Sequence, residues 1–211
     1  MIAAKNIKYF LSQVMGRLYV PPELCGTTEH KVLHLSDTPT SLYSAIGCLV
    51  NTLKPEVIIH TGDLADDIKL EHNAHRIDLY DQAVEPLIKM LENSSADKIC
   101  IIPGNHDDVD VISGHIAKTE LLTEGQVVEI NNYSFGLAHR LKRLPPRADY
   151  KLYGHNFKRP LKKMENEVYL NGIQSINVIL LPSNEVVKIP YTWGTNRDRK
   201  MGDRYMLPNT I

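Results

Sequence analysis

IIPGNHDDVD, residues 101–110, is an apolar run that stops on Pro-Gly and then carries an amide, an imidazole and two carboxylates. A buried strand needs only the Pro-Gly to end. The Asn105-His106-Asp107-Asp108 that follows has no such structural cause, so its meaning depends on what ends the other strands. Upstream, KVLHLSD (31–37) and EVIIHTGD (56–63) are also short apolar runs that finish on Asp37 and on Gly62-Asp63. Downstream, YSFGLAH ends at His139 and DYKLYGH at Gly154-His155. In open α/β sheets ligands bind beyond the carboxyl ends of the strands. Asp37, Asp63, Asn105, His139 and His155 therefore form one ordered set of oxygen and imidazole donors, a mixture suited to a hard or borderline divalent cation.

Between the first three strands lie helical patterns. Leu42, Ala45, Ile46, Leu49, Val50 and Leu53 repeat at i, i+3, i+4 and i+7, with Thr38 as expected cap and Lys54-Pro55 as the stop. A second helix is expected over 71–91, its face made by Ile77, Tyr80, Val84, Leu87, Ile88 and Leu91, with Pro86 kinking or splitting it. Strand, helix, strand, helix, strand reads as right-handed parallel crossovers. After residue 125 the style changes to six closely spaced short strands (QVVEI, YSFGLAH, DYKLYGH, EVYLNG, INVILLP and EVVKI), which predicts hairpins in a mixed or antiparallel sheet. A helix over 3–19, with Ile7, Phe10, Leu11, Val14, Met15 and Leu18 on one stripe, is expected to pack on the domain. The division is residues 1–30 as an N-terminal helix, 31–190 as the domain and 191–211 as an irregular C-terminal tail. Tyr191, Trp193, Arg197, Arg199, Lys200, Arg204 and Tyr205 give that tail interface-type chemistry, so it folds on its own domain or joins a homo-oligomer.

The 211 residues suit one domain, and 43% hydrophobic with 23% charged residues is ordinary for a soluble globular chain. A net charge of -1 excludes a global field that would draw the protein to nucleic acid or membrane. No apolar run approaches the ~20 residues that span a bilayer. Cys25, Cys48 and Cys100 are too scattered for a disulfide framework, and Cys48 and Cys100 read as small core residues. With no signal peptide legible, the expected location is cytoplasmic.

The motifs LSDTP (35–39), HTGDLADD (60–67), PGNHDD (103–108), GLAHR (136–140) and YGHNF (153–157), in that order over roughly residues 31–190, resemble the calcineurin-like metallophosphoesterases. The resemblance implies two mixed β-sheets packed as a sandwich and flanked by helices. It implies a metal-dependent hydrolase that cleaves a phosphomonoester or phosphodiester by attack of a metal-activated water. Asp63 matches the carboxylate between two ions, and Asn105, His139 and His155 match the other ligands of one of them. His106 matches the histidine at the reaction centre and Asp66 its carboxylate partner, while Asp107 and Asp67 match no role and read as solvated. The other ion is less well served. Asp37-Thr38-Pro39 stands where the family has Asp-x-His, and Gly154-His155-Asn156-Phe157 where it has Gly-His-x-His. The resemblance thus implies one tight site and one weakened site, for Mn²⁺ or Fe²⁺ first and Zn²⁺ or Mg²⁺ as alternatives. Asn156, Thr38, His34 and His60 are the residues that could replace the missing ligands. The substrate carries phosphate. The alternative is an impaired homologue that binds a phosphorylated ligand or a protein partner.

Two basic stretches follow the histidine ligands: Arg140, Lys142, Arg143 and Arg147 after His139, and Lys158, Arg159, Lys162 and Lys163 after His155. They read either as solvated turns or as a positive rim for an anionic substrate. Neither has interleaved aromatics, so nucleic acid is a weakly supported partner.

Overall fold

A computed structural model describes residues 2–160 and 167–201, with side chains from residue 7 onward. Among the described residues, ten strands form two sheets. In chain order the elements begin with α1 (Ile2–Val14), α2 (Pro22–Gly26), β1 (His30–Leu35), α3 (Tyr43–Leu53), β2 (Val57–His60), α4 (Ile77–Glu92) and β3 (Lys98–Ile101). They continue with α5 (Val109–His115), β4 (Glu120–Leu121), β5 (Gln126–Ile130), β6 (Tyr133–Leu137), β7 (Tyr150–Tyr153) and β8 (Val168–Asn171), then β9 (Ile176–Leu181), β10 (Glu185–Ile189) and α6 (Thr195–Asp198). One sheet runs β10-β9-β1-β2-β3-β4 and the other β5-β6-β7-β8.

The period-2 alternation of the central strands sorts their side chains into two cores. Val32, Val57, Ile59 and Cys100 meet Phe135, Leu137, Tyr150 and Leu152 of the other sheet. Leu33, Leu35, Ile58, Ile99 and Ile101 face the buried stripes of α3 and α4. β1, β2 and β3 are parallel and in the order expected, so their carboxyl ends lie side by side.

Several expectations change. The α3 helix begins at Tyr43 after a 3-10 turn, and Thr38 does not cap it, because the Thr38 hydroxyl accepts from His60 Nε2 instead, 2.8 Å away. Residues 70–76 form two 3-10 turns, and α4 starts at Ile77 and continues through Pro86, held by buried Leu87 and Ile88. The second half is mixed, as expected, but its hairpins are confined to β5–β6 and β9–β10: β6, β7 and β8 are mutually parallel. The connections between them, 138–149 and 154–167, are long enough for crossovers. Cys48 is exposed, because it lies beside the stripe of α3 made by Ile46, Leu49, Val50 and Leu53. Along α1 and at the turn that ends it, Ile7, Phe10, Leu11, Val14 and Met15 are each more than half exposed. The helix touches the body at its far end, where Gln13 accepts from the Trp193 backbone N–H and Phe10 meets the Trp193 ring edge-on.

Two buried histidines brace the central sheet. His34 Nδ1 accepts from Asn177 Nδ2 and its Nε2–H donates to Thr61 Oγ1. His60 Nδ1 accepts from the Gly62 N–H and its Nε2–H donates to Thr38. Burial, first of all, pushes both rings down to about 3 from an ordinary 6.5. The unfolded chain therefore takes up protons below pH 6.5 that the folded state refuses until about pH 3. Stability is complete above pH 6.5 and falls as pH drops, by roughly 3 kcal/mol per ring at pH 4. Urea midpoints between pH 7.5 and 4.5 should fall steadily, and a flat profile would contradict the burial of neutral rings.

Candidate metal centre

The strand ends converge because the loops are tied to one another through their backbones. Asp37 N donates to the Gly62 carbonyl, Thr38 N to that of Asp63 and Asp66 N to that of Thr38. At three strand ends the residue bearing the donor group enters the left-handed region: Asp37 at φ 51°, Asp63 at 58° and His155 at 68°. Non-glycine residues hold such conformations only where their surroundings over-determine them. Glycines make room beside them. A Cβ on Gly104 would sit on the Asp63 carboxylate, and one on Gly154 on the Ser36 hydroxyl and the Asp37 carboxylate.

Ligand-capable atoms of Asp63, His139 and His155 all lie within 4.8 Å of one another. His139 Nδ1 must donate to the Thr61 carbonyl, 2.7 Å away, which leaves Nε2 aimed inward. That Nε2 lies 3.3 Å from Asp63 Oδ2 and 3.0 Å from Asn105 Oδ1. Asn105 is oriented in turn, its amide Nδ2 donating to Glu71 Oε2 at 2.6 Å. A backbone-locked imidazole is the outer support that metal-binding histidines have. Electrostatics point the same way. Burial alone would lower the His139 pKa, yet Asp63 and Asp37 drive it up to about 10. The two carboxylates thus favour positive charge at this nitrogen. Asp63 is pushed up by burial, but its contacts with His139 and His106 more than reverse this and hold it ionised.

Asp63, His139 and His155 could hold one metal ion, with Asn105 Oδ1 beside His139. Two other groups of ligand-type atoms lie nearby, Asp63-Asp66-His106 and Glu71-His72-His106, but among the described residues none forms around Asp37, where the sequence implies the second ion. The Asp37 carboxylate accepts from Ser36 Oγ at 2.6 Å and from the His155 backbone N–H at 3.0 Å. Both nitrogens of His34 and of His60 are engaged, so neither ring supplies a lone pair. The Asn156 side chain accepts from Lys158 N, and the Thr38 hydroxyl is held by His60. Pro39 and the Phe157 ring offer no donor atom.

His106 is placed by its own backbone, whose N–H donates to Asp63 Oδ1 at 2.9 Å. The ring is buried against the edge of His72, its Nδ1 finds no partner among the described residues, and burial pushes its pKa down to about 4. Asp66 and His106 present ligand-type atoms within 4.8 Å of each other, yet Asp66 hydrogen-bonds Lys69 Nζ at 2.5 Å, not the ring. The expected carboxylate–imidazole bond is therefore replaced: Lys69, in left-handed backbone three residues on, reaches the Asp66 carboxylate first.

Asp107 and Asp67 are not solvated. Asp107 accepts from Asp63 N, Leu64 N, Gly104 N and the Tyr80 hydroxyl, all at 2.7–2.8 Å. Asp67 accepts from the Thr40 N–H and hydroxyl. Arg199 is fully buried behind Asp37, its Nε donating to the Asp37 carbonyl at 2.6 Å. Lys162, Lys163, Arg204 and Tyr205 lie outside the described residues.

A family model for the calcineurin-like phosphoesterases matches residues 30–205. The chain belongs to that family. Among solved structures it is similar to an archaeal phosphodiesterase, with TM-score 0.52 and 21% identity over 76% of this chain and 99% of that one. It is also similar to YfcE, a phosphoesterase from E. coli, with TM-score 0.51 and 14% identity over 77% of this chain and 100% of that one. At these identities the likeness is one of fold. No protein among those with curated functions matches the chain. Membership of the calcineurin-like phosphoesterases implies a divalent metal, for which the grouping of Asp63, His139 and His155 is suited. Among the described residues no helix is long and apolar enough to cross a membrane.

Proposed function

We propose that this phosphoesterase hydrolyses a phosphomonoester or phosphodiester with one tightly held divalent cation, Mn²⁺ or Fe²⁺ by preference. Asp63, Asn105, His139 and His155 hold the ion, and His106 and Asp66 serve the reaction beside it. The observation that carries this reading is the inward-facing His139 Nε2, locked from behind by Thr61 and set against Asp63 and Asn105. When bound, the ion supplies positive charge for the phosphoryl oxygens and lowers the pKa of water.

The chain's own groups do the rest. His106, seated by Asp63, presents an imidazole with a free nitrogen to the centre, where it holds or delivers a proton at the ester oxygen. Asp66 and Lys69 form a neutralised pair behind it, a positioning unit for the turn. A non-catalytic reading, in which the cleft binds a phosphorylated ligand or protein, draws on the Asp37 carboxylate, which already holds Ser36 and the His155 backbone, and on the lack of further donors around it among the described residues.

The test is metal content and turnover of bis(p-nitrophenyl) phosphate by protein loaded with Mn²⁺. Asn105→Ala and His155→Ala should each lower bound metal at least ten-fold. His106→Ala should keep the metal and lose roughly 100-fold or more in turnover, the scale of general acid–base help. Metal binding without turnover at any Mn²⁺ concentration would establish the non-catalytic reading.

A further inference from the structure

A groove of about 960 Å³ opens beside the centre, with His155 in its wall. Its floor and sides come from the two connections that leave the histidine ligands, 140–146 and 155–160, together with Lys151 and Tyr169 of β7 and β8. Six of its lining residues are Lys or Arg, and none is acidic. Two of the six are compensated: Lys151 is tied to Glu167 at 2.8 Å and Arg140 lies 3.7 Å from Glu124. Lys142, Arg143, Lys158 and Arg159 are exposed and have no ion-pair partner among the described residues.

We propose that this groove is a subsite for a second phosphate group, so that the substrate is a small phosphodiester carrying a further phosphate beyond the one cleaved. This rests on the hydrolase reading above. A lone phosphodiester has one negative charge, which an ion at the Asp63 centre already answers. Four uncompensated cations further along the groove have nothing to recognise in it. They stand against a chain whose net charge is -1, so they are a local concentration of charge and not part of a general one. The groove's volume lies at the upper end of the range for small-ligand sites. Leu141, Leu144, Pro145, Pro146 and Pro160 give it apolar walls suited to the sugar or ring joining two phosphates. Among the described residues that line the groove Tyr169 is the one Phe, Tyr or Trp, and Lys151 already lies over its ring. Stacking along a nucleic-acid strand therefore has no platform here.

The experiment compares the dinucleotide pApA with ApA, which lacks the terminal phosphate. Affinities are measured at low salt in EDTA, where metal-dependent cleavage cannot interfere. pApA should bind about ten-fold more tightly, a difference of about 1.4 kcal/mol. The advantage should vanish in the Lys142→Ala, Arg143→Ala, Lys158→Ala, Arg159→Ala quadruple variant, while its thermal midpoint and its turnover of bis(p-nitrophenyl) phosphate stay unchanged. Equal binding of the two dinucleotides by the wild-type protein would overturn the subsite. So would affinity that keeps rising with chain length, which marks a polymer track. If the chromogenic diester is not turned over but pApA still binds preferentially, the hydrolase reading fails and the phosphate subsite stands.

Discussion

Asp107→Ala is expected to lower the unfolding free energy by about 4 kcal/mol and to empty the cation site. Among the described residues the carboxylate is the only acceptor for three backbone N–H groups, those of Asp63, Leu64 and Gly104, and for the Tyr80 hydroxyl. Alanine strands all four donors in a site closed by the α4 stripe. Each buried orphan costs on the order of 1–3 kcal/mol, less what an entering water recovers. The position is also geometric. Asp63 sits at φ 58° after Gly62 at φ 94°, and the bonds from Asp107 hold that turn against the Gly104 turn. Released, Asp63 moves away from His139, and the grouping of donors opens. Urea denaturation gives the first number and metal analysis after Mn²⁺ loading the second. Tyr80→Phe, which removes one donor and leaves the backbone contacts, should cost about 1 kcal/mol and keep the metal. A stable, metal-loaded Asp107→Ala protein would show that the two turns hold each other without this carboxylate.

What the amino-acid order disclosed, and what it hid, divides along the range of the interactions. The β1-to-β3 half was legible because its burial is periodic. Ile46, Leu49, Val50 and Leu53, then Tyr80, Val84, Leu87 and Ile88, mark the helix faces at a spacing that leaves little choice. The α5 helix was not: seven residues with Gly114 inside them make no period, and its start is marked by Asp108 accepting from Val111 N. Strand direction from β6 to β8 was hidden for another reason, since a strand pattern records which face is buried but not which way its neighbour runs. At the centre, ligand-type residues stood out because each interrupts an apolar run at a strand's end. Their supports did not. Glu71 beneath Asn105, Lys69 on Asp66 and Asp107 between two turns owe their roles to tertiary approach, and nothing at those positions departs from a surface pattern. Asp107 carried one hint, since a tight turn at Pro103-Gly104-Asn105 gives a carboxylate two residues on a nearby N–H to accept from.

Arg199→Met should be the most damaging change outside the strand ends, costing about 3 kcal/mol and weakening Mn²⁺ binding about ten-fold. The residue lies in a stretch without hydrophobic period, expected to be an irregular tail, yet it has no exposed surface. Its guanidinium donates to the carbonyls of Asp37 at 2.6 Å, Ile173 at 2.9 Å and Ser36 at 3.4 Å, and lies 4.2 Å over the Tyr191 ring. The Tyr191 hydroxyl donates to the Gly172 carbonyl nearby. Exchanging both partners of a buried polar contact for apolar groups can be neutral, but methionine removes the Arg199 donors from the Asp37 and Ile173 carbonyls and leaves Ser36 only the Tyr191 hydroxyl at 3.3 Å. The effect reaches the metal through a short chain of contacts. Arg199 fixes the Asp37 carbonyl, Asp37 in left-handed backbone presents its carboxylate, and that carboxylate holds the backbone N–H of His155. Loosening the first contact therefore misplaces His155, a proposed ligand, although Arg199 itself is not among the proposed ligands. Arg199→Lys supplies charge without the planar fork and should recover only part of the loss. Ending the chain at residue 190 should match or exceed the methionine variant, because it removes Tyr191 as well. Urea midpoints and Mn²⁺ titrations that leave all three variants at wild-type values would mean that the Asp37 turn stands unaided, and that the carboxy-terminal segment is merely laid against a centre already complete.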